Sequence, residues 1–159
     1  MRGKIFLLIA ALLLLSAAAS AQETGNAEDV AAIRQVVQYY FEGWKNDDPE
    51  SMKKAFHPKA KLFAISDDND LKETNQKQVY AALKENVRRG VPSADASLKI
   101  ISVDAAGAAA SVKIEIEYRG EFQGATSTEF LSLIKFPKDG WKLVSRVSAV
   151  EQKRAAAAP

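Results

Sequence analysis

Residues 126–150 read TSTEFLSLIKFPKDGWKLVSRVSAV, two runs of strand-forming residues joined by Pro137-Lys138-Asp139-Gly140. β-Branched and aromatic residues suit a pleated, half-buried surface, and an Asp-Gly pair supplies the positive φ of a tight hairpin turn. The stretch predicts two antiparallel strands, Thr126–Phe136 and Trp141–Val150. The same period of two extends upstream. Val112, Ile114, Ile116 and Tyr118 make one face apolar, while Lys113, Glu115, Glu117 and Arg119 make the other wet. Leu98–Val103 and Ala110–Tyr118 are therefore two further strands, with turns at Asp104–Gly107 and Arg119–Glu121.

Before Pro92 the period is helical. Val30, Ile33, Val37, Tyr40, Phe41 and Trp44 draw one stripe along a helix from about Ala27 to Trp44. Asn26 can accept its free amide hydrogens, and Glu28 and Asp29 suit the positive end of its dipole. Asp48-Pro49 opens a short helix that buries Met52, Ala55 and Phe56 and stops before Pro58. A third helix starts at a capping box, Asn75 with Gln78, repeats Val79, Leu83 and Val87, and closes at Arg88-Arg89-Gly90. Ala60–Ile65 is a short strand, and Ser66–Asn75 a polar connection. Helices first and strands last indicate an α+β domain: three N-terminal helices packed on a curved antiparallel sheet.

The chain's ends bound where it works. Arg2 and Lys4 precede an apolar run from Ile5 to Leu15 and the small residues Ser16–Ala21, the layout of a secretory leader cleaved after Ala21. A membrane span needs about 20 apolar residues, more than this run offers. The expected order is a leader at 1–21, one domain at 22–153 and a disordered tail at 154–159, exported to a periplasm or secreted. Among all 159 residues there is no cysteine, so disulfides and thiol chemistry are excluded. The 22 basic residues include Arg2 and Lys4, so loss of the leader leaves 20 against 20 acidic ones. A neutral chain offers little to nucleic acid or an anionic membrane.

Certain stretches resemble a known family. Tyr40-Phe-Glu-Gly-Trp44, Asp48-Pro-Glu50, Ala55-Phe-His-Pro-Lys-Ala-Lys-Leu-Phe63, Glu129-Phe-Leu-Ser-Leu-Ile-Lys135 and Asp139-Gly-Trp-Lys-Leu-Val144 are similar to the putative lumazine-binding branch of the nuclear-transport-factor-2-like superfamily. The resemblance covers roughly Val30 to Val150. It implies a cone, a bent sheet wrapped around the long helix with an apolar cavity inside, and frequent homodimers through the sheet. Fold does not fix activity, since this superfold hosts enzymes, binders and scaffolds. Ketosteroid isomerases share the fold, and their alignment puts Tyr40 at the oxyanion-hole tyrosine but Ala64 at the catalytic aspartate. A methyl group abstracts no proton, so that reaction is not supported.

Other chemistry is sparse. His57, the single histidine, follows a helix end, where its ring satisfies a backbone group or faces water. One histidine without cysteine makes no His-rich zinc site, and Asp67-Asp68-Asn69-Asp70 lacks the glycine and terminal glutamate of a calcium loop, so no metal or other cofactor is expected. Strict alternation sets Arg146 beside Lys142, Val144 and Ser148, opposite Trp141, Leu143 and Val147; the preferred reading pairs it with Glu115 or Glu117 on a wet face, and the alternative points it at a ligand anion if the sheet bends so that this side enters the cavity. On family geometry the cavity lining is Tyr40, Trp44, Phe63, Phe130 and Trp141. The leading expectation is a non-catalytic domain that binds a small apolar or aromatic molecule, or a dimeric scaffold. One alternative is an isomerase, dehydratase or cyclase using Tyr40 with His57 or Asp67, which requires one of them within about 3 to 4 Å of Tyr40. The other is a partner-binding module of a cell-envelope assembly, which requires an apolar patch on the sheet.

Overall fold

The computed structural model describes residues 21–90, 93–119 and 125–152. The leader, the turn after Arg119 and the tail fall on residues outside these, apart from Ala21. In chain order the elements are β1 (Gln22–Thr24), α1 (Ala27–Lys45), α2 (Pro49–Ala55), β2 (Phe56–Ile65), β3 (Leu71–Asn75), α3 (Gln76–Arg89), β4 (Ala96–Ala106), β5 (Ala109–Tyr118), β6 (Ala125–Phe136) and β7 (Gly140–Gln152).

Each helix begins at its expected cap, but α2 ends at Ala55, so Phe56, expected in that helix, turns extended and opens β2 instead. Asn26 Oδ1 accepts from the N–H groups of Glu28 and Asp29 at 2.8 and 3.3 Å. Asp48 accepts from Glu50 N at 2.9 Å and precedes Pro49, whose missing N–H costs nothing at a first helical position. At α3 the capping box is reciprocal: Gln78 N donates to Asn75 Oδ1 and Asn75 N to Gln78 Oε1. Gly90, at φ +67°, turns the chain out of the helix. α1 and α2 cross at Gly43, where an added Cβ would stand 2.6 Å from Met52 Cγ and 2.8 Å from Met52 N. Only glycine lets the two backbones approach so closely.

The strands form one seven-stranded sheet in the order β1-β4-β5-β6-β7-β2-β3. It is mixed, not purely antiparallel as the sequence suggested: β1 runs parallel to β4, and β2 parallel to β7. Parallel partners far apart in sequence leave no hairpin signature. β2 starts at Phe56, directly after α2, and β3 occupies part of the expected polar connection. As an edge strand β3 has one partner and an exposed surface, so Lys72 and Glu73 fit it without apolar alternation. α1 packs on both β4 and β7, three places apart in the sheet, so the sheet curves about the helix. Ile33, Val37, Tyr40, Phe56, Ile114, Leu131, Leu133 and Leu143 fill the space between.

One irregularity decides the interior. β6 and β7 pair Leu133 with Leu143 but Ser132 with Ser145, so β7 carries an extra residue, Val144, at a bulge. Beyond it the faces exchange. Trp141 and Leu143 point inward before the bulge, and Arg146, opposite the buried Leu131, points inward after it. The wet-face placement of Arg146 is thereby corrected: its ion pair is with Glu129, not with Glu115 or Glu117.

Candidate functional site

Inside the curve of the sheet, α1, β6 and β7 converge on three polar side chains. Tyr40 comes from the buried face of α1, Glu129 from the inward row Ala125, Ser127, Glu129, Leu131 and Leu133, and Arg146 from beyond the bulge. Tyr40 Oη donates to Glu129 Oε2 at 2.6 Å, and Arg146 Nη1 donates to Tyr40 Oη at 3.0 Å. The Arg146 guanidinium stands 3.6 Å from Glu129 Oε1, which also accepts from Ser127 Oγ at 3.3 Å. Tyr118 hydrogen-bonds to Ser127, and its ring meets Trp44 edge-to-face at 5.5 Å. The Tyr40 ring packs edge-on against Phe56 at the same distance.

Burial grades across this chain. Tyr40 and Glu129 are 1% and 3% exposed, the Arg146 side chain is 19% exposed, and Tyr118 and Trp44 are half-buried. Such a pair is expensive to desolvate, and only complete hydrogen bonding offsets the cost. Burial, followed by the field of Glu129, pushes the Tyr40 hydroxyl well above its ordinary pKa. It therefore remains a neutral donor across the physiological range. Burial alone would lower the Arg146 pKa, but Tyr40 and Glu129 outweigh it and the net shift is upward. Arg146 Nε is buried and has no hydrogen-bond partner among the described residues. The network can thus hold a guanidinium in a fixed plane with one donor still free.

The residues expected to line a cavity divide between two faces. Tyr40 lies at the centre of the network and Trp44 at its half-buried end. Trp141 is buried, but its Nε1 donates to Asp29 Oδ1 at 2.9 Å, beside Lys135 Nζ at 2.7 Å, and ties the start of α1 to the sheet. Those bonds, Lys135 first, hold the Asp29 carboxyl below its usual range. Phe63 and Phe130 both pair with Val147, on the opposite side of the sheet from Glu129 and Arg146. The alternation that puts Leu62 and Glu129 inside puts these two rings outside.

The two candidate bases are not Tyr40's partners. The His57 ring stacks on Phe136 at 4.8 Å, and its Nδ1 accepts from Lys59 N at 3.1 Å. Asp67 stands in the exposed turn between β2 and β3. Sequence reasoning missed Glu129, Ser127 and Tyr118 as site residues. A signal for Glu129 existed: it is the one acidic residue in an inward row otherwise of Ala, Ser and Leu. The bulge also left a mark, since adjacent Leu143 and Val144 interrupt the alternation.

Comparison with known proteins follows the same lines. The family model described as "Putative lumazine-binding" matches residues 28–148. No curated protein matches. Among solved structures, an NTF2-like protein of unknown function from Shewanella baltica OS155 is 26% identical, with a TM-score of 0.67 over 82% of this chain and 99% of its own. An NTF-2-like protein of unknown function from Silicibacter pomeroyi DSS-3 is 20% identical, with a TM-score of 0.66 over 80% and 100%. A domain of unknown function with a cystatin-like fold from Nostoc punctiforme PCC 73102 is 14% identical, with a TM-score of 0.63 over 84% and 82%. With 121 consecutive residues matched from α1 to β7, the chain belongs to the putative lumazine-binding family of the NTF2-like superfamily.

Proposed function

We propose that this chain is an exported, non-catalytic binding domain that takes a small planar molecule into the concave side of its sheet. The molecule lies beside the half-buried Trp44–Tyr118 pair, and Arg146 anchors its polar edge. The observation that carries this reading is the buried, unpartnered Nε of Arg146, on a guanidinium already oriented by Tyr40 and Glu129. A ligand carbonyl there would satisfy a donor that otherwise costs free energy. The family's description supports a small-molecule ligand. Tyr40's proton is directed to Glu129 and both Glu129 oxygens are engaged, an arrangement suited to holding a guanidinium rather than to moving a proton. Export rests on the leader motif, which ends one residue before β1 begins.

Lumazine, a fluorescent ring with carbonyl groups along its edge, is the probe. Titration of the wild type is expected to give saturable quenching, with affinity about tenfold lower in Arg146→Met and in Trp44→Ala. Absence of saturable binding to folded wild type would overturn the lumazine assignment.

A second reading concerns the outer face, where Phe130, Val147 and Ile134 are 54%, 49% and 41% exposed and Ile65 and Leu71 extend the patch along β2 and β3. We propose that a second copy of the chain covers this patch, since the same surface on two copies is self-complementary about a two-fold axis. Sedimentation of the wild type should then give a dimer and Phe130→Ser a monomer; a monomeric wild type at high concentration contradicts it.

A further inference from the structure

A groove of about 810 Å³ lies beneath α3, bounded by the start of β2 and the tip of the β6–β7 hairpin. It is separate from the Tyr40 network, since none of Tyr40, Glu129 and Arg146 lines it; Phe56 stands between, touching the Tyr40 ring on one side and the groove on the other. Gln76, Lys77, Tyr80 and Lys84 are presented to it from one side of α3, as their spacing allows. Its volume falls in the usual range for a small-molecule site.

Two features of its wall point to a ligand. Gln76 is 2% exposed, and neither its Oε1 nor its Nε2 has a hydrogen-bond partner among the described residues. A buried primary amide with both ends unpaired is unfavourable unless something in the groove completes it. The second feature is charge. Lys53, Lys77, Lys84 and Lys142 face one acidic lining residue, Asp139. Lys53 is engaged by Glu50 at 2.5 Å and Lys142 Nζ by Lys54 O at 2.5 Å, whereas Lys77 and Lys84 have no ion-pair partner among the described residues. Phe56, Pro58, Tyr80 and Ala81 also line the groove and give it an apolar portion.

We propose that this groove binds a small heterocyclic phosphate: a planar ring whose adjacent donor and acceptor pair with the Gln76 amide, carrying a phosphate placed between Lys77 and Lys84. A ring imide offers an N–H to Gln76 Oε1 and a carbonyl to Gln76 Nε2. The ammonium groups act as point charges on the anion, so binding is salt-dependent. This inference does not rest on the lumazine reading, which concerns the other side of Phe56.

The test is calorimetric titration of the full mature chain with uridine monophosphate, uridine and inorganic phosphate. The expected result is saturable binding of the monophosphate with a Kd at or below about 1 mM, and at least tenfold weaker binding of the two fragments. Gln76→Leu and the double variant Lys77→Gln/Lys84→Gln should each weaken the monophosphate about tenfold or more. Gln76→Leu should not lower the melting temperature, because it removes an amide that has no protein partner. The exposed lysine variants keep the test decisive should Gln76→Leu fold poorly. Absence of monophosphate binding, equal binding of phosphate alone, or unchanged affinity in the lysine double variant would each overturn the proposal. Lumazine titration of that double variant separates the sites and is expected to match the wild type.

Discussion

Glu129 and Phe130 are neighbours on β6, yet the carboxylate is 3% exposed and the ring 54%. On β7 Arg146 lies against Glu129 while the next residue, Val147, is 49% exposed. A hairpin with one wet face ordinarily buries its apolar side chains and exposes its charges. Here the polarity is reversed at the same level of both strands, and each reversal has its own physical meaning. An interior ion pair contributes little net stability, because desolvation cancels most of the attraction. The exposed Phe130 ring and aliphatic side chains on the other face leave apolar area in contact with water that a partner would remove. The two faces of one hairpin therefore carry two different proposed interactions, a small molecule inside and a second copy outside.

The inner face can be broken most severely. Glu129→Leu should cost about 3 to 5 kcal/mol in urea unfolding, because it leaves the Arg146 charge largely buried without a counter-ion. Tyr40→Phe removes the hydroxyl that bridges Glu129 and Arg146 and should cost about 1 to 3 kcal/mol. This variant also has a pH signature. The raised Tyr40 pKa means that its stabilising contribution is complete below the unfolded value of about 10 and declines as pH rises toward the higher folded value. Alkaline unfolding of Tyr40→Phe should lack that component. At the hairpin's far end the sign is opposite. Asp29, lowered by Lys135 and Trp141, stabilises above the ordinary carboxylate pKa, and that contribution is lost as pH falls through its depressed folded value. Asp29→Asn should flatten the acid limb of a thermal stability profile, an effect that salt reduces. On the outer face, Phe130→Ser should change monomer stability by no more than about 0.5 kcal/mol, as surface substitutions do. A larger loss of monomer stability would mean that the ring packs within its own chain.

Local chemistry made much of the fold legible. Asn26, Asp48-Pro49, Asn75 with Gln78, and Gly90 each mark a helix end by a side chain or a φ angle, and Asp139-Gly140 marks a turn. What escaped depends on distance along the chain. β1 and β3 are short edge strands, and the parallel pairing of β2 with β7 joins residues 84 to 87 positions apart. The site escaped for a smaller reason. One inserted residue, Val144, exchanges the faces of β7, and strict alternation therefore placed Arg146 outside and Val147 inside. Tyr40 was legible from the helical stripe, but its partner Glu129 sits 89 positions away and its bond to Tyr40 exists only in the folded sheet.

The most direct test of this account is a double-mutant cycle on Glu129→Leu and Arg146→Met, with all four proteins measured in urea. If the bulge at Val144 brings the two side chains together, the double variant should be more stable than the sum of single losses predicts, with a coupling of about 2 kcal/mol or more. Losses that add to within about 0.5 kcal/mol would show that Arg146 and Glu129 do not meet, and the bulge-centred account of the site would fail.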